Sequence, residues 1–389
     1  MQKRVAILIH PGRSWGRGLL SGIALFARGN RTWSVFHDER QFTSTLPEWL
    51  KSWNGDGVIA AIDSEPLAGF VADRGLPTVD VLGAIPVAGV PRVRERNDEV
   101  IRLAVRHLQE LGLRSFAYCG FRGFRYSEER EQAIRELAID EGFPLSVLDS
   151  PFDHTKGRPA FEGEGLRHQS ELLDWLQQLP LPVGLVACND VRALQVLSAA
   201  REAGLRAPDD IAVVGIDNDE VICGLADPPL SSVDLDTMRI GHRAAATLAR
   251  LMDGHAAAAD ETLIDPSGIV ARQSSDLLAI ADPEIAAVAQ FIRDNACDGI
   301  AVTDVVETAS IARSTLERRF RKSVGRSIKA EINRVRIKRI KELLASTPDN
   351  LSTIAQRTGF EHAEYMCTLF KKQVDMTPGQ YRREHGTLF

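Results

Sequence analysis

Short apolar runs alternate with amphipathic helical patterns over roughly the first 275 residues of the chain. Continuous β-branched runs are typical of strands buried on both faces, and helical segments such as 97–112 and 127–142 lie between them. The pattern predicts βαβ units with parallel sheets, and the length favours two doubly wound lobes over one open sheet. The predicted strands are 5–10, 33–38, 57–62, 77–82, 115–120, 144–149, 183–188 and 211–217.

The pattern changes after Asp282 and Pro283, where strand-like runs end and short helical patterns follow one another. We therefore predict a two-lobed α/β region, residues 1–275, a linker, residues 276–283, and an all-α region, residues 284–389. Within the last region, residues 302–327 and 351–378 repeat one arrangement: a short helix, a tight turn and a second helix ending in phenylalanine and basic residues. This arrangement is typical of a helix-turn-helix, whose second helix enters the major groove of DNA.

A long helix is predicted between the two copies, in the segment "EINRVRIKRIKELLAS". Its apolar positions recur at helical spacing, so this helix can hold the two copies rigidly together. Those positions are Ile332, Val335, Ile337, Ile340, Leu343 and Leu344.

Charge is distributed unevenly along the chain, whose 389 residues have a net charge of −6. From Pro283 to the end there are 18 Lys and Arg against 13 Asp and Glu, a net charge of +5. The preceding residues hold 29 against 40, a net charge of −11. This asymmetry predicts two regions with different partners, and nucleic acid as the partner of the basic one.

Composition and motifs argue against several other classes of protein. The first apolar run is too short for a signal peptide, and no segment is long enough for a membrane span, so we expect a cytoplasmic protein without a membrane partner. The five cysteines are scattered singly, which argues against a disulfide framework and a zinc site; no metal or cofactor is expected. The loop "HPGRSWGRG" fits no phosphate-binding motif, so a cytoplasmic α/β enzyme remains only a remote alternative.

The all-α region resembles the AraC-type transcription regulators in its two helix-turn-helix copies and its closing segment "FKKQVDMTPGQYR". Asp375 stands where that family usually has glycine, and Met366 where it usually has an aromatic residue. The resemblance implies binding to a double-stranded DNA operator and activation through contact with RNA polymerase.

The resemblance also assigns DNA-reading positions to the second helix of each copy. Arginine suits guanine, glutamate can accept from cytosine, and basic residues later on each helix suit phosphates. The alternative, a solvated basic face, is weakened by the presence of two copies. The base-reading positions implied are Arg313, Ser314, Glu317, Arg318, His362, Ala363, Glu364 and Thr368, and the phosphate-binding ones are Arg321, Lys322, Lys371 and Lys372.

The α/β region resembles the sugar-sensing core of LacI-type repressors and the related periplasmic sugar-binding proteins. The residues that carry this resemblance are "GVIAAID" (57–63), residues 97–112, 187–218 and 231–252. Joined to an AraC-type end, this core is similar to activators of pentose utilisation operons. The resemblance implies D-xylose or a similar small sugar as effector and a homodimer formed through the sensor; a different sugar, or repression, remains the alternative.

Several residues that could bind the sugar follow predicted strands, where the ligand cleft of such a fold is expected. Sugar pockets combine carboxylate, amide or guanidinium groups with an aromatic ring, because unpaired buried polar groups are costly. Arg130 matches the family's sugar-contacting arginine, and Ser14 and Trp15 are predicted in the first βα loop. The full candidate set is Ser14, Trp15, Asp63, Arg130, Asn189, Asp190 and Asp217.

Each of these candidates also has a structural interpretation. Asn189 or Asp190 after a strand could simply cap the following helix. Trp15 could pack at a lobe or dimer surface, and Arg130 could be a solvated helix residue. Arg96, which precedes Asn97 where LacI-like cores usually have aspartate, predicts an altered cleft rim or dimer face.

Overall fold

The computed structural model of this chain describes residues 2–29, 33–37, 46, 48–148, 169–275, 282–324 and 326–385. The chain divides into two compact units, Met1–Leu277 and Leu278–Phe389. The predicted linker, residues 276–283, lies outside the described residues except for its last two positions. No helix within the described ranges is long and apolar enough to cross a membrane.

Strands and helices alternate through the first unit. Its strands are β1 (Lys3–Leu8), β2 (Trp33–His37), β3 (Gly57–Ala60), β4 (Thr78–Asp80), β5 (Arg92–Glu95), β6 (Phe116–Cys119), β7 (Leu145–Leu148), β8 (Val183–Ala187), β9 (Ile211–Ile216), β10 (Ser231–Asp234), β11 (Glu261–Ile264) and β12 (Gly268–Val270). Its helices are α1 (Ser14–Gly29), α2 (Glu48–Lys51), α3 (Glu65–Arg74), α4 (Asn97–Glu110), α5 (Arg125–Glu141), α6 (Gln169–Gln177), α7 (Asp190–Glu202), α8 (Glu220–Leu225) and α9 (Thr237–Met252).

Two six-stranded sheets form the centres of two lobes, which confirms the predicted α/β architecture. The first lobe has the order β11-β5-β4-β3-β1-β2, and the second has β12-β10-β9-β8-β6-β7. The strands pair in parallel, except that β12 runs antiparallel to β10. The chain passes between the lobes after β5, after β10 and between β11 and β12. The carboxyl ends of the parallel strands are where ligands bind in such folds.

Helices α1 and α9 pack closely together because glycines line their contact. A Cβ on Gly22 would lie 1.9 Å from the carbonyl oxygen of Met238, and one on Gly241 would lie 2.1 Å from that of Leu19. Of the glycines in "HPGRSWGRG", Gly18 also lies in this contact, because a Cβ on it would lie 1.9 Å from the hydroxyl oxygen of Thr237. Ser14 and Trp15, predicted in the first βα loop, instead form the first turn of α1.

The second unit is all-α, as predicted. Its helices are α10 (Pro283–Asn295), α11 (Val302–Glu307), α12 (Arg313–Val324), α13 (Ile328–Ser346), α14 (Leu351–Arg357), α15 (Ala363–Val374) and α16 (Pro378–His385). One core contains Phe320 of α12 and Ile332 of α13. A second core contains Ile337 of α13 and Phe370 of α15. The apolar positions of α13 thus divide between two cores, one for each helix-turn-helix.

Two departures from the AraC pattern have local explanations. Asp375 is the C-cap of α15 with φ 57°, a left-handed conformation in which glycine is favoured and aspartate is tolerated. Met366 is fully buried in the second core, where its flexible side chain replaces an aromatic ring.

Candidate functional site

The first turn of α1 contacts the loop after β9, which belongs to the other lobe. The backbone N–H of Ser14 donates to Oδ2 of Asp219 at 2.9 Å, and its hydroxyl lies 3.5 Å from the carbonyl oxygen of Asp217. Arg17 adds an ion pair with Asp219 at 3.5 Å. Asp217 has φ 113° and Asn218 φ 48°, so the loop turns sharply at the end of the strand. Two candidates from different lobes, Ser14 and Asp217, are therefore brought together.

Arg130 is buried, with only 2% of its surface exposed, so it is not a solvated helix residue. Its Nε donates to Oδ1 of Asn97 at 2.8 Å, and Nη1 donates to the carbonyl oxygen of Cys188 at 2.5 Å. Nη2 lies 3.4 Å from Oε1 of Glu95. Burial lowers the pKa of Arg130, but the charges of Glu95 and Asp217 raise it above its usual value. A guanidinium has five N–H donors, so these three bonds leave capacity for ligand hydroxyls.

Asn189 and Asp190 hold the backbone at the carboxyl ends of β8 and β9. Asn189 is the N-cap of α7, and its Oδ1 accepts from the N–H of Arg192 at 2.9 Å. Its Nδ2 donates to the hydroxyl of Tyr126 at 3.2 Å. The carboxylate of Asp190 accepts from Ser232 Oγ at 2.6 Å and from the N–H of Asp219 at 2.7 Å.

Burial raises the pKa of Asp190, and the charge of Asp217 raises it further. This electrostatic coupling indicates that the two carboxyl groups, at the ends of neighbouring strands, share one environment. The structural interpretation of Asn189 as a helix cap is correct, and Asp190 supports the loop that carries Asp217.

Asp63 and Trp15 differ in their contacts with the rest of the protein. Oδ1 of Asp63 is buried and has no hydrogen-bond partner within the described part of the chain. An unpaired buried acceptor is costly and is often explained by a ligand or water. Trp15 is half-buried and packs against the core of the first lobe.

An ion-pair network around β5 was not predicted as part of the site. Arg94 has 7% of its side chain exposed and pairs with Glu129 at 2.6 Å and Glu261 at 2.7 Å. Arg125 also bonds Glu129 at 2.8 Å and donates to the carbonyl oxygen of Gly83 at 2.7 Å. Residues of the second-lobe helix α5 therefore hold first-lobe residues beside the cleft. The sequence feature that could have identified β5 is the alternation of arginines in "RVRER", residues 92–96.

The hydrogen bonds and charges of this network lower the pKa of Glu129. Burial raises its pKa, but the hydrogen bond and charge of Arg94, followed by hydrogen bonds from Arg125 and Asn97, lower it to about 2. The carboxylate is therefore ionised at neutral pH and holds both arginines.

In the second unit, the candidate DNA-reading residues lie mainly on exposed faces of α12 and α15. Arg313 is 60% exposed and pairs with Glu317 at 3.0 Å. Ala363 is half-buried against the second core, and the hydroxyl of Thr368 donates to the carbonyl oxygen of Glu364 at 2.9 Å. The remaining exposed candidates are Ser314, Arg318, Arg321, Lys322, His362, Lys371 and Lys372.

Two residues of these helices were not singled out from the sequence. Tyr365 on α15 is 55% exposed, an unusual position for an aromatic side chain on a helix that otherwise shows polar residues to solvent. Arg319 on α12 pairs with Asp282 at 2.5 Å and Glu284 at 3.4 Å, so its charge is held within the unit. Only the structure distinguishes Arg319 from its neighbour Arg318.

Three families match successive parts of the chain. Residues 4–89 match the family described as XylR N-terminal domain, residues 105–275 match the periplasmic binding protein-like domain, and residues 305–384 match a helix-turn-helix domain. Together these matches follow the order of the two lobes and the second unit.

Relatives align over nearly the whole chain. The xylose operon regulatory protein of Escherichia coli (strain K12) is 32% identical over 388 residues, which cover 97% of this chain and 96% of that protein. The protein of the same name from Haemophilus influenzae (strain ATCC 51907 / DSM 11121 / KW20 / Rd) is 29% identical over 387 residues, 97% of this chain and 98% of that protein.

Solved structures agree with these alignments. A structure described as the xylose-binding transcription activator xylR has a TM-score of 0.76 and 30% identity, and covers 100% of this chain and 99% of that one. The transcriptional regulator CelR in complex with cellobiose has a TM-score of 0.54 and 24% identity, covering 70% of this chain and 84% of that one. The latter shows a shared fold.

Proposed function

Since the chain belongs to the family of the xylose operon regulatory proteins, we propose that it responds to D-xylose or a related pentose and activates a pentose utilisation operon. Its second unit is an AraC-type DNA-binding unit, its first is a periplasmic-binding-protein-like unit, and the chain is a sugar-sensing transcription regulator rather than an enzyme. Its partners are thus a DNA operator and a sugar effector.

The observation that carries the pentose proposal is the position of Arg130. Its buried guanidinium bonds Asn97 and Glu95 at the connection between the lobes and interacts with the charge of Asp217 in the second lobe. Such a group can bind vicinal hydroxyls of a small sugar while sensing both lobes.

The other candidates take roles that follow from their contacts. Asp63 offers the unpaired buried acceptor and Asp217 the carboxylate at the end of β9. Ser14 joins the two lobes, and Trp15 offers an aromatic face at the start of α1. Asn189 and Asp190 position this set, since their oxygens already accept hydrogen bonds from the protein.

Sugar binding favours the closed arrangement of the lobes, because groups from both lobes bind one ligand. The contacts of Ser14 with Asp219 and of Arg125 with Gly83 cross between the lobes and support this proposal. The sugar shifts the equilibrium only by its differential affinity for the closed and open states. In a homodimer, closure changes the separation of the paired DNA-binding units and so matches them to paired operator half-sites.

Within this proposal, residues 1–275 sense the sugar, residues 276–283 form a linker and residues 284–389 bind DNA, with the boundaries expected from the sequence. Dimerisation uses the sensor, and RNA polymerase contacts the DNA-bound protein. The second candidate is a different sugar effector, because Arg94 and Arg96 place arginine charges and their ion pairs at the rim of the cleft. Repression in the absence of sugar is the corresponding alternative to activation.

A thermal-shift panel of D-xylose, L-arabinose, D-ribose and D-glucose tests the proposal. Ligand binding to the folded state alone stabilises it by about 2.7 kcal/mol at a hundredfold excess over the dissociation constant. We expect a clear rise in Tm with one pentose. A panel in which only a hexose raises Tm would overturn the pentose assignment.

A further inference from the structure

Arg336, in the middle of α13, contacts both the segment that leads into the first helix-turn-helix copy and the turn of the second copy. It is 5% exposed, and its Nε donates to the carbonyl oxygen of Ala296 at 2.7 Å while Nη2 donates to that of Ile300 at 2.9 Å. Both carbonyls lie in the segment between α10 and α11, which leads into the first copy. The guanidinium also lies 5.2 Å from the ring centre of Phe360, which belongs to the second copy.

Two glycines bring the backbones of the same segments into contact. Gly299 has φ 88° and Gly359 has φ 72°, conformations that favour glycine. A Cβ added to Gly359 would lie 2.6 Å from the backbone nitrogen of Gly299 and 2.8 Å from the carbonyl oxygen of Cys297. No side chain larger than hydrogen fits there without moving one copy away from the other.

The two recognition helices have no common core. α12 is buried through Leu316 and Phe320 in the first core, and α15 through Met366 and Phe370 in the second. The long helix α13 passes through both cores and joins them. The contacts of Arg336 and of the glycine pair lie beside α13 and provide a second connection.

Burial lowers the pKa of Arg336, because a guanidinium away from water loses hydration. A buried charge is costly unless hydrogen bonds hold it, and here two carbonyl oxygens and an aromatic ring do so. Arg336 therefore depends on both copies being in place, and each copy is held by Arg336.

We propose that Arg336 and the contact between Gly299 and Gly359 form a junction that fixes the separation of the two recognition helices. The junction thereby sets the number of base pairs between the two DNA segments that one chain reads. Arg336, which is only 5% exposed, is in this sense a positioning residue for DNA recognition. The inference rests on the proposed function, since it requires that both helices bind DNA.

The test uses the full-length protein with sugar and its operator. Footprinting first locates the two segments contacted by one chain, and binding is then measured on operators with one base pair removed or inserted between them. The variants are Arg336→Gln, Arg336→Lys and Gly359→Ala. Arg339→Gln is the matched control, because Arg339 lies on the same helix, is 45% exposed and forms an ion pair with Glu342 one turn along that helix.

Wild type and the control should lose about tenfold or more in affinity on the altered operators, because one helix loses its base contacts. Arg336→Gln and Gly359→Ala should reduce that difference to about threefold or shift the preferred spacing. Arg336→Lys should lie in between, because lysine keeps the charge but lacks the planar fork of donors that spans the two carbonyls. A folded Arg336→Gln or Gly359→Ala variant that keeps the wild-type spacing preference would overturn the junction. A wild-type footprint with a single segment would instead reject the two-helix function itself.

Discussion

Nε of Arg130 donates a hydrogen bond to Oδ1 of Asn97 at 2.8 Å, and Asn97 is the first residue of α4 after the chain has crossed between the lobes. This bond links the candidate sugar site to the connection about which the lobes would close. If Arg130 binds the sugar as we propose, its ligand contacts would act on the connection that sets lobe position, as a sugar-dependent regulator requires.

Replacing Arg130 should affect both stability and sugar response. In Arg130→Gln the buried Glu95 loses its charged partner, which costs about 3 kcal/mol. Denaturant unfolding measures that loss, and the rise in Tm with D-xylose should disappear. Arg135→Gln on the same helix is the control, because Arg135 is 53% exposed and forms a surface ion pair with Glu131. An Arg130→Gln protein with a wild-type sugar-induced shift would exclude Arg130 from the site.

Replacing Asp217 should separate sugar sensing from DNA binding. Asp217→Asn keeps a side chain that tolerates φ 113° but removes the negative charge facing Arg130. We expect the sugar response to be lost while operator binding without sugar stays within about twofold of wild type, because the DNA-binding unit is unchanged. Calorimetric sugar titration and a gel-shift assay measure the two effects. Loss of DNA binding with intact sugar affinity would contradict the assignment.

Stability should fall at acid pH through Glu129. Its pKa is lowered to about 2 in the folded protein from an ordinary value of 4.5, so its contribution is present above about pH 4.5 and is lost as the pH falls toward 2. Because the carboxylate is only partly buried, we expect at most about 2 kcal/mol. Thermal unfolding between pH 6 and 3 should decline less steeply in Glu129→Gln than in wild type. Parallel curves would show that the ion pairs with Arg94 do not stabilise the fold.

Substitutions on the two recognition helices should separate base reading from phosphate binding. Arg318→Ala should weaken specific operator binding by about 1–3 kcal/mol and relax selection at one base pair. Lys372→Ala should weaken binding evenly across sequences and reduce the salt dependence by about one ion. Anisotropy titrations on single-base operator variants at several salt concentrations measure both. Identical behaviour of the two variants would remove the base-reading role of Arg318.

Most strands that could be predicted from the sequence have apolar runs buried on both faces, such as β9, although β2 and β7 were predicted and are partly exposed. β5 was missed because Arg92, Arg94 and Glu95 interrupt any apolar run. In the fold, Glu129 and Glu261 pair with the two arginines, and Arg130 pairs with Glu95. The short β10, β11 and β12 lack such runs and become strands only through pairing with distant neighbours.

Most of the candidate site lies at strand ends that the sequence predicted, but the roles of individual side chains depend on the fold. Asn189, Asp190 and Asp217 all follow strands. Oδ1 of Asn189 accepts from the N–H of Arg192, a local cap that the sequence already suggested. Asp190 accepts from Asp219 and Ser232, which lie 29 and 42 residues along the chain, so no local pattern contains these contacts.

The central claim is that a pentose bound in the first unit controls how the second unit binds DNA. The most direct test is operator affinity of the purified full-length protein, measured by fluorescence anisotropy with and without saturating D-xylose, with Asp217→Asn in parallel. We predict that D-xylose, or one related pentose, raises the operator affinity of the wild type by about fivefold or more and leaves the variant unchanged. Equal operator affinity with and without every pentose that binds the protein would contradict the account.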